Sequence, residues 1–154
     1  MVERRQNRLI NALGYAGLIP FAVTAWASYL ELVFFGLSAT YWFSSYSAVI
    51  LVFLSGSLWG LIIGKAGNGL TTFVLVFSNA VALLAWLALG LLPNYYWAGL
   101  ALLMIGYLAV LSIELIYSHL LHSGVGPDYS KMRIKLTTIV VALHGVMVFT
   151  VFLV

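Results

Sequence analysis

Five stretches of this chain are each long and apolar enough to cross a lipid bilayer. They run from about Leu9 to Leu30, Tyr46 to Ile63, Leu70 to Leu92, Trp97 to Leu121 and Leu136 to Val154. A hydrocarbon core of ~30 Å needs about 20 apolar residues in helical form. Lipid offers no water to backbone polar groups, so only helices and closed barrels are viable there. Barrel strands alternate in polarity over about 10 residues, and these runs do not. The sequence therefore predicts an all-α polytopic membrane protein, a single five-span transmembrane helix bundle over residues 1–154. Composition agrees: 64% of the residues are hydrophobic and 7% are charged, against roughly 25% charged in soluble domains. A soluble globular fold is excluded, and so is disorder, because burial is abundant and charge scarce.

The links constrain the topology. Gly64-Lys65-Ala66-Gly67-Asn68-Gly69 joins spans two and three, and its glycines and asparagine permit the left-handed backbone of a tight turn. Pro93-Asn94 joins spans three and four as a turn initiator. Residues 122–135 form the most polar link. Short links force antiparallel neighbours. The link 31–45 is too apolar for a solvated loop. It carries Phe34, Phe35, Tyr41, Trp42 and Phe43, and aromatic residues favour the headgroup region. It is expected to be a short interfacial segment, such as a helix lying in the membrane plane.

Charge placement supports the span count independently. The seven basic residues are Arg4, Arg5, Arg8, Lys65, Lys131, Arg133 and Lys135. With five spans all of them fall on one side, which the positive-inside rule makes cytoplasmic. The N-terminus is then inside and the C-terminus outside. A bacterial inner membrane is the expected location, ahead of a mitochondrial inner membrane, because the basic head is short. Reading residues 4–27 as a cleaved secretory signal fits less well, because the apolar run is long and contains Pro20. The basic residues explain orientation before they suggest nucleic acid, and no nucleic-acid partner is expected.

Gly56, Gly60 and Gly64 recur every four residues in span two. Glycines so spaced share a helix face and admit a neighbouring backbone closely. Packing inside the bundle is the favoured role, since the other spans supply partners. A homo-oligomer or a membrane-protein partner is the alternative. Trp59, within this pattern, reads as a packing knob.

Glu114 is the costliest residue in the chain, because a lone carboxylate within a span costs a few kcal/mol. It is expected to be a headgroup-level acid paired with Lys131, Arg133 or Lys135, with a proton or cation site as the alternative. Ser55, Ser57, Asn79 and His144 come out at similar depths, about 9–15 Å from the inner end. With Glu114 they form a candidate intramembrane polar layer. Such a layer can relay protons, meet a quinone headgroup or bond helices together. His119 and His122 share a helix face and could meet a metal or lipid phosphates. Haem and zinc are rejected, because His144 lies too deep to pair with them and further ligands are lacking. The chain has no cysteine, hence no disulfide, thiolate metal site or cysteine nucleophile. No phosphate loop, nucleophile elbow or H-E-x-x-H motif occurs. No catalytic residue, metal or cofactor is assigned.

Three segments resemble a known family. They are Leu13-Gly14-Tyr15-Ala16-Gly17-Leu18-Ile19-Pro20-Phe21, the run from Tyr46 to Gly60, and Pro127, Tyr129, Arg133, Leu136 and Thr137. They are similar to the domain of unknown function 3429, which includes eukaryotic transmembrane protein 69. The resemblance implies a small polytopic membrane protein without an established activity. Family members often carry a histidine before the Trp-Gly pair, where this chain has Leu58, so no role through that histidine transfers here.

The leading functional expectation is a non-enzymatic accessory or assembly component of a larger, respiratory-type membrane complex. The alternatives are a small proton-coupled transporter using Glu114, Asn79 and His144, and a quinone- or lipid-binding protein with its ligand between spans three, four and five.

Overall fold

The computed structural model describes residues 2–65, 67–117 and 127–153. Helices α1 (Val2–Ala16) and α2 (Leu18–Tyr29) form the first span. A β-hairpin follows, β1 (Val33–Phe34) and β2 (Leu37–Ser38). Helices α3 (Ala39–Ile62), α4 (Gly69–Leu91), α5 (Tyr96–Ile116) and α6 (Pro127–Leu153) form spans two to five. Among the described residues five stretches are long and apolar enough to cross a membrane, as the hydropathy predicts.

The first span is interrupted at Gly17 for a local reason. Pro20 has no N–H to give the Ala16 carbonyl, and its ring crowds that carbonyl. The Gly17 carbonyl at this break accepts a hydrogen bond from the Tyr46 hydroxyl at 3.0 Å. This ties the first span to the second.

The interfacial segment is a hairpin and not a helix in the membrane plane. Val33 pairs with Ser38 and Phe34 with Leu37, around a two-residue turn with Phe35 at φ 53° and Gly36 at φ 77°. Two successive positive φ values match the twist of antiparallel strands. Trp42 Nε1 donates to the Phe34 carbonyl at 3.1 Å and braces the hairpin. Ser38 caps α3, its hydroxyl accepting from the Tyr41 N–H at 3.2 Å. Span two therefore begins at Ala39, seven residues before the apolar run predicts. Span five begins at Pro127, nine residues early, because proline suits the first helical position. Lys131, Arg133 and Lys135 thus lie on α6 itself.

The turn between spans two and three is capped at both ends. Gly64, with φ 83°, is the left-handed residue beyond the C-cap of α3. Asn68 and Thr71 form a reciprocal capping box at the start of α4, each bond 2.9 Å.

The core is one cluster. Helix α3 is central and packs against α2, α4 and α5, while α6 packs against α5 and α2. Phe21, Phe43, Leu51, Leu58, Val74, Leu100, Leu103, Val110 and Met147 are fully buried. The glycines that permit close approach are not those of the four-residue repeat. A Cβ on Gly106 would lie 2.5 Å from Leu51 Cδ2, and one on Gly99 would lie 2.8 Å from the Ala88 carbonyl oxygen. A Cβ on Gly56 or Gly60 would meet nothing within 4 Å. These two glycines face outward, so the expected packing role inside the bundle falls to Gly99 and Gly106. Overpacking a filled core costs about 1–3 kcal/mol. Gly99→Ala and Gly106→Ala should each destabilise the bundle by about that amount, while Gly56→Ala and Gly60→Ala leave it unchanged. Unfolding midpoints in detergent provide the comparison.

Candidate functional site

The five residues of the expected polar layer do not meet as one layer: Ser55 and Asn79 line one shallow cleft, while Glu114 and His144 have other partners. Glu114, near the end of α5, is buried and accepts from Arg133 Nε at 2.8 Å. His144 lies eleven residues beyond Arg133 on α6, about 16 Å along the helix axis. Its Nε2 is 2.8 Å from the Ser47 hydroxyl and its Nδ1 is 2.8 Å from the Val140 carbonyl. Nδ1 must donate, since a carbonyl only accepts, so in the neutral ring Nε2 accepts from Ser47. Ser55 turns to the Val52 carbonyl at 2.9 Å, Ser57 to Phe53 at 2.9 Å and Asn79 to Leu75 at 2.8 Å. Each bonds its own helix, and Asn79 and Ser57 are exposed on the flank of the bundle. Among the described residues no hydrogen bond joins the Glu114–Arg133 pair directly to His144; Tyr107, which bonds Ser47, lines one groove with Arg133. His119 and His122 lie outside the described residues. No group of three or more metal-ligating side chains occurs among the described residues.

Two polar ties take the place of the layer. The first is the node at His144, built from Ser47 and Tyr107, which sequence reasoning missed. Tyr107 donates to the Ser47 carbonyl at 2.9 Å. Phe43, Tyr107 and Phe21 surround the imidazole at ring-centroid distances of 4.9, 5.7 and 6.1 Å. The contact of a serine with a histidine resembles a nucleophile and its base. Both side chains have no solvent exposure, and the aromatic wall leaves a reacting carbonyl no place beside Ser47. The node joins spans one, two, four and five. Beyond His144 itself, a mid-span tyrosine was its sequence signal.

The second tie is the Glu114–Arg133 pair, with side-chain exposures of 6% and 8%. Arg133 is one of the three partners expected from sequence. Beside it lies a groove of about 330 Å³ between the first span, α3 and α6. Its walls include Leu13, Leu18, Phe21, Ile50, Leu54 and Leu136, and Tyr107, Tyr129, Arg133 and Thr137 supply its polar atoms. The groove opens on the flank of the bundle, where Leu13 and Phe53 are exposed. It lies between spans one, two and five, not between spans three, four and five. Gly14 and Gly17 belong to its lining, and at Gly14 the absence of a side chain lets Leu136 and Met132 of α6 come close. The volume falls in the range of small-molecule sites, and an apolar wall with few polar groups is their usual chemistry.

The sequence model of one family, described as a protein of unknown function, matches residues 6–149. The chain belongs to the DUF3429 family. No curated protein and no solved structure matches it. The three segments through which the DUF3429 resemblance was read meet at the groove. Leu13, Gly14, Gly17, Leu18 and Phe21 come from the first, Ile50, Phe53 and Leu54 from the second, and Tyr129, Arg133, Leu136 and Thr137 from the third.

Removing one partner of a buried ion pair strands the other charge, at a cost of about 3–5 kcal/mol. Glu114→Gln should destabilise the bundle by that order, and the double change Glu114→Gln with Arg133→Met should recover most of it. A double-mutant cycle of unfolding midpoints in detergent measures both.

Proposed function

We propose that this membrane protein is a binder and not a catalyst, and that its lateral groove holds a lipophilic molecule taken up from the bilayer. The observation that carries this reading is the groove itself. It is an apolar chamber of about 330 Å³, open on the flank of the bundle, with a charged side chain more than nine-tenths buried on its wall. A lipid-facing opening suits a ligand that partitions into hydrocarbon. The quinone- or lipid-binding alternative thereby moves ahead of the transporter, whose Glu114, Asn79 and His144 have separate local partners. The placement of its basic residues supports a cytoplasmic N-terminus, and the short basic head favours a bacterial inner membrane over a mitochondrial one.

The experiment is native mass spectrometry of protein released from a mild detergent. Wild type should carry a small lipophile through purification. Leu54→Trp, which fills the groove from α3, should lose it while keeping its thermal midpoint. Equal occupancy in both proteins, or none in wild type, would overturn the reading.

An accessory role in a larger membrane complex has its own support on another face. A shallow cleft of about 230 Å³ between α3 and α4 is lined by Val52, Ser55, Gly56, Trp59, Ser78, Asn79 and Ala82. A helix that met Gly56 there could also bond Asn79, and amides between helices associate spans in lipid. Gly56→Ile combined with Asn79→Leu should abolish cross-linking to a co-purifying membrane protein without lowering the thermal midpoint. Recovery of wild type as a lone monomer would count against this role.

A further inference from the structure

Arg133 has more hydrogen-bonding capacity than Glu114 uses. Its Nε donates to Glu114. Among the described residues, the Nη groups have no partner. A guanidinium carries five N–H donors in a planar fork. A donor buried without an acceptor costs free energy, more so for a charged group. This side chain is more than nine-tenths buried and lines the groove. A ligand in the groove beside Arg133 would supply an acceptor for the remaining donors.

The electrostatics select the kind of acceptor. Glu114 already neutralises Arg133, and among the described residues no other charged side chain lines the groove. A phosphate or carboxylate beside the pair would leave an uncompensated negative charge in an apolar chamber, which is expensive. A carbonyl oxygen accepts from the fork and adds no charge. The lining also favours a flat partner, since Phe21, Phe53, Tyr107 and Tyr129 are aromatic and ring pairs stack or meet edge to face.

We propose that the groove takes a neutral quinone of the isoprenoid class, with one ring carbonyl on the Arg133 Nη groups, the ring among the aromatic residues, and the tail leaving past Leu13 and Phe53 into lipid. Arg133 is then a binding residue, held in place by Glu114. The assignment rests on the groove reading above and specifies its ligand.

The test uses the full chain in nanodiscs and decylubiquinone labelled with ¹³C at its carbonyls. Infrared difference spectra should show one carbonyl stretch shifted to lower frequency on binding, with the second unshifted. Arg133→Lys keeps a cation for Glu114 but loses the fork, and should weaken binding about tenfold or more and remove the shift. Leu54→Trp should abolish binding altogether.

Two unshifted carbonyls in wild type would overturn the Arg133 assignment, and that measurement needs no variant to fold. Unchanged affinity in a folded Arg133→Lys would do the same. Methyl palmitate, a ringless ester, should not compete with the quinone, and equal competition would overturn the ring class. Saturable phosphatidylglycerol binding that Leu54→Trp removes, with no quinone binding, would leave the groove reading standing and refute the quinone. Failure of every probe to bind would refute both.

Discussion

Lipid tails solvate a leucine about as well as a protein interior does, so apolar contact alone does not hold five apolar helices together. What holds this bundle is a set of close approaches and polar ties. Gly106 lets Leu51 of α3 reach α5, and Gly99 lets α5 approach the Ala88 carbonyl of α4. The ties each run from one span to another. Tyr46 reaches Gly17, Ser28 meets Thr40 at 3.0 Å, Ser44 meets Tyr96 at 3.0 Å, Tyr107 reaches Ser47, Ser47 meets His144, and Arg133 meets Glu114. Most of them involve α3, which is why that helix is central. On α4, Ser78 and Asn79 bond the carbonyl of Leu75 within the same helix, and small-residue packing carries more of its attachment.

The groove follows from the same economy of contacts. Pro20 breaks the first span at Gly17, Tyr46 anchors the break, and α6 approaches the first span near Gly14 through Met132 and Leu136. The space between these fixed points is bordered by side chains that pack on their own neighbours and leave a chamber. At its polar end stands a charge that had to be paired to be buried. A single pair thus relieves the cost of two ionised groups and sets the polarity of the cavity beside it.

The spans were legible because hydropathy is a local, one-dimensional property. A run of 20 apolar residues has few other fates. The ends of spans were less legible. Helix α6 extends back through Lys131, Arg133 and Lys135 because charged side chains are tolerated where a helix projects beyond the hydrocarbon. The segment 31–45 contained the start of α3 and a hairpin, since two residues at positive φ are a backbone property that aromatic composition does not announce. Glu114 stood out from sequence because an acid within a span is rare and costly, and its partner was among the three basic residues named for it. Ser47 and Tyr107 did not stand out, because a serine and a tyrosine are ordinary in such helices until something faces them.

By itself the sequence determined the number of spans, the up-and-down course and the one carboxylate that needed a partner. Those conclusions depend on length, hydropathy and the price of an unpaired charge in lipid, which are properties of each segment alone. Only the tertiary structure decided the rotational phase of each helix. These spans are apolar nearly all round, so nothing in a single helix tells which face is inward. Packing therefore decided that Gly56, Gly60 and Asn79 face outward, that His144 meets Ser47, and that Arg133 stands beside a groove.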